Sequence, residues 1–576
     1  MRTVKPAMRS FRKAAALGSA LALFGCVACS TLPHNTDPQV IGSFEAHSGD
    51  ESPFLGPKAG QEPDLLLRDF FTATAIPSGD YEAARSFMDP AISESWDPTE
   101  SILVVDSIDL NTVHVDAGQI EYSVRGNIIG SLNSGGAYSP ENAGYEARMT
   151  LQQISGEWRI TDLPSGAVIE RNELRNRYQP QSLYFYEQSR KALISDRRWL
   201  YSGQDPMDTE LVTLLIEGPN ADLKPATSSL LPETATFLGV EDGEYRFSGM
   251  TAMSQEDKTK FAAQLVWTLN NAGMGQEFRA TADGSPLVEG LDIMSTDEFA
   301  EFNPQESPTS VSSLFVLYEG SLWSVKATAV QPVSGSAGTV GDIQSADVSA
   351  GGIVAAVRKK SPDEFEFAMG ETTGELGTAL SAKTLARPTF ELNGQAAWTV
   401  EDGERIVRVV RSSATGQITD AAVDSSEVDG INGEISVIRL SNTGARIAMI
   451  IGGYVYTGVV TRATNGKHRI VNVHEVAPEL NGSALSLDWQ SDGSLLVGTS
   501  SRNSPVWRIE QDGSASSTMP SGNISAPVVA VAASPSTLYV TDSRAMLEMP
   551  AVGSDSSYWR EVPGLQGKRS SPIIAN

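Results

Sequence analysis

Cysteine is nearly absent from this chain of 576 residues: there are two, and both lie within the first 29 positions. The body of the protein therefore has no thiol for a disulfide, a cysteine-ligated metal or a nucleophile. Histidine is sparse as well, with five residues, His34, His47, His114, His468 and His474. There is no HExxH, CxxC, GxSxG elbow or Gly-rich phosphate loop, so the local signatures of zinc proteases, redox dithiols, serine hydrolases and nucleotide-binding enzymes are missing. Positive charge is in deficit, with 43 Lys and Arg against 71 Asp and Glu and a formal net charge of −28. Such an acidic surface argues against nucleic acid and against spreading on anionic lipid. No apolar run reaches the roughly 20 residues that span a bilayer.

What is present begins at the N-terminus. Arg2, Lys5, Arg9, Arg12 and Lys13 precede a short run of small and apolar residues, Ala14 to Ala28, that ends at Cys29. A basic start, a short apolar middle and small residues at the end make an export signal. Small residues directly before a cysteine resemble the lipobox of bacterial lipoproteins, in which the thiol takes a diacylglycerol and the cysteine becomes the new N-terminus. Leu23-Phe24-Gly25-Cys26 and Cys26-Val27-Ala28-Cys29 are both candidates. Removal of residues 1–28 takes away five positive and no negative charges, which moves the formal charge from −28 to −33. A lipid, rather than electrostatics, must then hold the chain at a membrane. Residues 29–62 are rich in Pro, Ser, Gly and Asp and form a flexible tether.

Residues 63–175 carry two helical stretches, Pro63 to Ala75 and Asp80 to Met88, with Asp80 as an N-cap. Alternating segments follow at Ile102–Leu110, Thr112–Val115, Gln119–Ile129, Tyr145–Ile154 and Trp158–Thr161. Helices followed by a run of strands make an α+β domain, a helix-backed curved sheet that resembles the cone-shaped NTF2-like fold. His114 falls on a strand in a hydrogen-bonded structural role, and Trp96 and Trp158 belong to core or lid. In residues 180–305 an aromatic strand around Leu183-Tyr184-Phe185 is followed by Arg197-Arg198-Trp199 and a helix ending at Gly218-Pro219. The strongest helix of the chain is Ser254 to Ala272, capped by Ser254 with Asp257 and burying Phe261, Leu265, Thr268 and Leu269.

Residues 311–576 lose helical periodicity. A turn-plus-strand unit recurs at Gly352, Gly394, Gly444, Gly493 and, degenerate, Ser536, with spacings of 42, 50, 49 and 43 residues. A period of about 40–50 with several strands per unit describes a propeller; the strand pair around Tyr318–Trp323 brings the expectation to about six blades. A β-sandwich or separate β domains are the alternative.

Leu214-Leu215-Ile216-Glu217-Gly218-Pro219, Leu231-Pro232, Gln264–Leu269 and Ala282-Asp283-Gly284, with the lead-in strands before them, resemble a sporulation-and-germination (GerMN) domain. Taken with the lipobox, the NTF2-like region and the propeller, the chain resembles the actinobacterial LpqB lipoprotein family over nearly its full length. In that family the lipidated cysteine precedes small residues, an apolar-Pro pair and a Pro-Gln stretch. Cys29-Ser30-Thr31-Leu32-Pro33 and Pro38-Gln39 match, so the resemblance implies cleavage between Ala28 and Cys29, and S-diacylglycerol and N-acyl lipid on Cys29; the upstream Cys26 departs from the pattern. It further implies binding to the extracytoplasmic domain of a sensor histidine kinase like MtrB of the MtrA–MtrB two-component system, on the outer face of the cell membrane. No catalytic residue, metal ligand or cofactor is expected. His468 and His474 lie near one strand pair without a third ligand for zinc, and Asp492-Gly493 and Asp512-Gly513 read as tight turns rather than calcium loops. The alternative is a propeller enzyme or a lipoprotein that binds a glycan or other small ligand.

Overall fold

The computed structural model describes residues 55–203, 206–304, 312–551 and 558–575. Helix α1 (Pro63–Ala73) starts on a proline, whose missing N–H is no loss in a first turn. It buries Leu66, Leu67, Phe70 and Phe71. Helix α2 (Ser78–Arg85) corrects the expected cap: Gly79, Asp80 and Tyr81 all have positive φ, and the Asp80 carboxylate accepts from Arg85 Nη2 at 2.9 Å instead of capping a first turn. The short α3 (Pro90–Ser95) is capped by Asp89 through Ala91 N. These helices pack against β1 (Ile102–Asp116), β2 (Gln119–Asn133), β3 (Ala137–Ile154), β4 (Glu157–Asp162) and β5 (Ala167–Glu170). β1 runs through both stretches that the alternation separates, because bulges near Val105 and Thr112 shift its register without ending it. Phe87, Trp96, Tyr122, Met149 and Leu151 are buried within, so side chains fill this curved sheet.

After helix α4 (Arg171–Arg177), β6 (Tyr178–Tyr186) and β7 (Leu193–Tyr201) form a hairpin that extends the first sheet. The join is the pairing of Ala137 with Arg198. The same hairpin packs Leu183, Tyr184, Phe185, Leu193 and Leu200 into the core of the second domain. That domain contains α5 (Met207–Glu217), β8 (Thr236–Glu241), β9 (Glu244–Ser248), α6 (Gln255–Asn271), β10 (Arg279–Ala282) and β11 (Ser285–Pro286). Gly218 ends α5 with φ 100°, a conformation open to glycine. Ser254 caps α6 by accepting from Asp257 N at 3.1 Å. Two side chains of α6 satisfy the outer edge of β6: Gln264 Nε2 donates to Tyr184 O at 2.8 Å, and Thr268 Oγ1 accepts from Tyr184 N at 3.2 Å. A sheet edge that would otherwise expose unpaired backbone is thus covered by a helix.

The remaining residues form six four-stranded sheets in sequence order. Five glycine-or-serine anchors behave as the repeat predicts in four cases: Gly352, Gly394, Gly444 and Gly493 adopt positive φ. Each N–H closes a tight turn on the carbonyl three residues back. The C-terminal strand Ser571–Ile574 pairs with Leu314–Leu317 and supplies the innermost strand of the first blade. Adjacent blades share apolar clusters all the way round, including one across the closure where Val316 meets Met546, Val562 and Leu565.

The axis is held by charge. Arg439 Nε lies 3.3 Å from Asp488 Oδ1 and its Nη1 lies 3.4 Å from Asp347 Oδ2 and donates to Pro388 O at 2.8 Å. Asp347 and Asp488 also accept from Phe390 N and Ala533 N, at 3.2 and 3.1 Å. Arg387 donates to Ala346 O, Val531 O and Pro572 O at 3.2, 3.5 and 3.1 Å. Two arginines and two aspartates therefore link all six innermost strands with no net charge, which is the condition under which buried ions are tolerable. Replacing Arg439 by Met strands two buried carboxylates; urea unfolding of R439M is expected to show a loss of about 3–5 kcal/mol, whereas Glu404→Gln in an exposed turn should leave the midpoint within about 0.5 kcal/mol.

Candidate functional site

Among the described residues no group of His, Cys, Asp and Glu is placed to hold a metal ion. His114 lies on an exposed hairpin 2.8 Å from Asp116, and Trp96 is buried in the first core. His468 and His474 share the strand His468–Val476 but face different partners. His468 stands edge-on to Trp398 and 3.8 Å from Glu391, while His474 Nε2 is 3.1 Å from Thr457 Oγ1. Asp492-Gly493 and Asp512-Gly513 are tight turns. Cys26, Ala28 and Cys29 lie outside the described residues.

The most elaborate polar arrangement among the described residues is the joint at which three domains meet, and β7 organises it. Successive side chains of a strand point to opposite faces. Asp196 and Arg198 point toward the two α+β domains and are buried. They pair at 2.9 Å. Asp196 also accepts from Asn220 N and Nδ2 at 2.8 and 2.6 Å; Arg198 Nη1 donates to Gly135 O of the first domain at 3.1 Å and Nη2 reaches Gly218 O at 3.4 Å. Arg197 and Trp199 point the other way, to the propeller. Arg197 lies 2.9 Å from Glu510 and 3.4 Å from Asp512, and Trp199 Nε1 donates to Asp512 Oδ2 at 3.0 Å.

Two propeller side chains clasp the same strand from outside. Arg446 Nη2 and Gln511 Nε2 both donate to Ser195 O, at 2.6 and 2.9 Å. Burial pushes the Arg446 guanidinium down to about 10, against the attraction of Asp196 and Asp512, so it remains charged at neutral pH. Asn472 Nδ2 donates to Asp222 O at 2.7 Å, and Gln188 Nε2 to Thr461 Oγ1 at 3.1 Å. Ile194, Leu223, Ala226, Ala445 and Val459 form an apolar patch between these polar contacts. This joint is polar at its edges and greasy in the middle, and it presents the second domain to the propeller in one arrangement.

Beside the joint lies a cavity of about 1040 Å³ between the second domain and the turns of the third and fourth blades. Its wall includes Glu391, whose carboxylate takes Trp398 Nε1 at 2.8 Å and Arg408 Nε and Nη2 at 2.5 and 2.9 Å. Burial alone would raise the Glu391 carboxyl; the hydrogen bonds and charge of Arg408, with Trp398, hold it below the usual carboxylate range.

Neither Arg446, Gln511 nor the axial network is singled out by local sequence pattern, and Asp512 shows only as the start of an Asp-Gly turn. The one available signal is positional: Asp347, Arg439 and Asp488 each stand two residues before the opening residue of a repeat turn, at Ser349, Ser441 and Gln490. Arg197-Arg198-Trp199 was visible as a cluster, but its split between two faces was not.

Comparison with known proteins gives three contiguous matches. Residues 56–175 match the family described as "Lipoprotein LpqB, N-terminal domain", residues 182–288 the "Sporulation and spore germination" domain, and residues 320–575 the "Lipoprotein LpqB beta-propeller domain". A protein of Corynebacterium diphtheriae named Lipoprotein LpqB is 38% identical over 572 residues, covering 96% of this chain and 98% of its own. Proteins of the same name from Rhodococcus opacus and Mycobacterium bovis are 36% and 30% identical, covering 99% and 95% of this chain and 99% and 96% of theirs.

Two predictions follow from the joint's chemistry. Asp512→Ala removes the acceptor of Trp199 and a partner of Arg197; hydrogen exchange across residues 193–201 should accelerate, with a stability loss of about 1–3 kcal/mol. His474 is held below its ordinary value chiefly by burial, with Arg446 nearby, against the pull of Asn472 O, Asp222 and Asp512. The unfolded chain takes up this proton near pH 6.5 while the folded one resists. Stability is therefore full above about pH 6.5 and declines as the pH falls below it. His474→Gln should flatten that decline, measured as urea midpoints between pH 7.5 and 5.5.

Proposed function

The chain belongs to the LpqB lipoprotein family, and from that premise we propose that it is exported, fixed to the outer face of the cell membrane by lipid on Cys29, and there binds the extracytoplasmic domain of an MtrB-like sensor histidine kinase to bias its signalling. The observation that carries this reading is the relationship to proteins named Lipoprotein LpqB over 95% or more of the chain, joined to a basic and apolar leader that ends in a cysteine. Among the described residues no helix is long and apolar enough to cross a membrane.

Cleavage before Cys29 frees an α-amine for acylation and leaves the thiol for diacylglycerol. Each buried CH₂ contributes about 0.8 kcal/mol, so one chain holds marginally and two or more hold firmly. An acidic body adds no attraction to anionic lipid, so the lipid alone supplies the hold. A kinase poised between two states needs only differential binding: about 5.5 kcal/mol moves a two-state equilibrium from 1:99 to 99:1, and a smaller preference shifts it proportionately. A body whose domains are clasped together suits this role, because contact energy is then not dissipated in internal rearrangement.

Fractionation and mass spectrometry of the mature N-terminal peptide test the anchor. Cys29→Ser should appear in the soluble fraction or retain its leader, and Cys26→Ser should remain in the membrane. Purified lipoprotein should retain the kinase's extracytoplasmic domain in a pull-down. Recovery of the chain in the cytosol with residues 1–28 attached, or failure to retain the kinase domain, would remove the reading.

A further inference from the structure

The cavity between the second domain and the propeller has walls of uneven chemistry. At about 1040 Å³ it lies at the upper end of the roughly 300–1,000 Å³ typical of small-molecule sites, and domain interfaces are a preferred place for such sites. Two of its carboxylates are already engaged. Glu391 is held by Arg408 and Trp398; Glu187 takes Ser189 Oγ at 2.5 Å, Lys191 N at 2.8 Å, and Ser189 N.

The cations are not so engaged. Lys191 and Arg462 both line the cavity and are exposed, and neither side chain has a carboxylate partner among the described residues. Glu187 and Glu301 likewise have no cation partner among the described residues, although Glu187 is hydrogen-bonded by Ser189 and by Lys191 N. Two cations without a carboxylate partner therefore stand on the wall of one cavity, where an anionic ligand can take the place of the missing acid. His468, on the same wall, is kept toward its neutral form by burial and by Arg408 and Arg462, against Glu391.

The rest of the lining is amide, hydroxyl and apolar. Asn393, Asn442 and Thr443 sit on the repeat turns of the third and fourth blades, which are fixed by the tight-turn hydrogen bonds at Gly394 and Gly444. Leu392 is 42% exposed and shares the lining with Phe302. An apolar face flanked by amides and hydroxyls suits a pyranose, whose C–H face is apolar and whose rim is hydroxyl.

We propose that this cavity binds an acidic sugar, its ring against Leu392 and Phe302 and its carboxylate or phosphate toward Lys191 and Arg462. Charge-assisted hydrogen bonds to both cations give the selectivity for the acid. Such a ligand touches the second domain and the propeller together and stabilises their joint by mass action. Binding of this kind belongs to the chain whether or not a kinase is its protein partner.

Calorimetric titration of the full-length lipoprotein in detergent tests it, with N-acetylmuramic acid and N-acetylglucosamine as probes. These differ by one lactyl ether carboxylate. The acid should bind at least about tenfold more tightly than the neutral sugar, the fold-change expected if only one of the two charged hydrogen bonds is fully formed. Lys191→Gln and Arg462→Gln should each reduce the affinity for the acid toward that for the neutral sugar and leave the neutral sugar unaffected. Leu392→Asp, which replaces the apolar platform by a negative charge, should weaken binding of both sugars and of the acid most. Equal affinity for the two probes, no binding of either, or undiminished affinity for the acid in the Leu392→Asp protein would overturn the proposal. The comparison of probes on the unaltered protein decides the matter even where a variant folds poorly.

Discussion

The buried pair of Asp196 and Arg198 is the interaction on which the architecture depends. Both charges are almost fully withdrawn from water, a situation that is costly unless every remaining valence is met. Here the remaining valences are met by groups from elsewhere in the fold: Asn220 and Gly218 from the second domain and Gly135 from the first. The pair is therefore satisfied only when both domains are in place. The other two side chains of the same stretch, Arg197 and Trp199, are satisfied only when the propeller is in place. Four consecutive residues of one strand specify the relation of three domains, by the two-residue period of β-structure.

The propeller answers this with rigidity. Its first blade takes its innermost strand from the C-terminus, so the ring cannot complete until the whole chain is present. The apolar clusters between blades are non-directional and would tolerate small rotations. The axial arginines and aspartates, with fixed donor and acceptor directions, do not. The blade turns that clasp β7 and line the cavity are consequently held in register with one another. A pre-ordered surface of this kind spends little binding free energy on its own ordering.

The joint also unites chemistry that differs in its sensitivity to conditions. Arg446 remains charged at neutral pH despite burial, whereas His474 is biased toward neutrality by the same environment. Acidification acts on the histidine and not on the arginine. The cavity adjoins this region and shares elements with the joint, namely the hairpin carrying Gln188 and the fourth blade carrying Thr461 and Arg462.

How much of this was legible beforehand depends on the range over which each feature is determined. The helices around Leu66 to Phe71 and Phe261 to Leu269, the turn glycines and the blade repeat are local: a few neighbouring residues with the right period determine them. The family resemblance adds up such local features. Asp80 misled because a capping residue and a residue tolerant of positive φ have the same composition. The joint was illegible for a different reason. Ser195 meets Arg446 and Gln511 across 251 and 316 positions, and Trp199 meets Asp512 across 313; no window of sequence contains both partners. The amino-acid sequence by itself determined the class of each domain and the repeat of about six blades. Only the tertiary structure decided that one hairpin would serve two domains, which face of β7 would meet the propeller, and where a cavity would be left, because each of these is set by partners that come together only once the chain has closed.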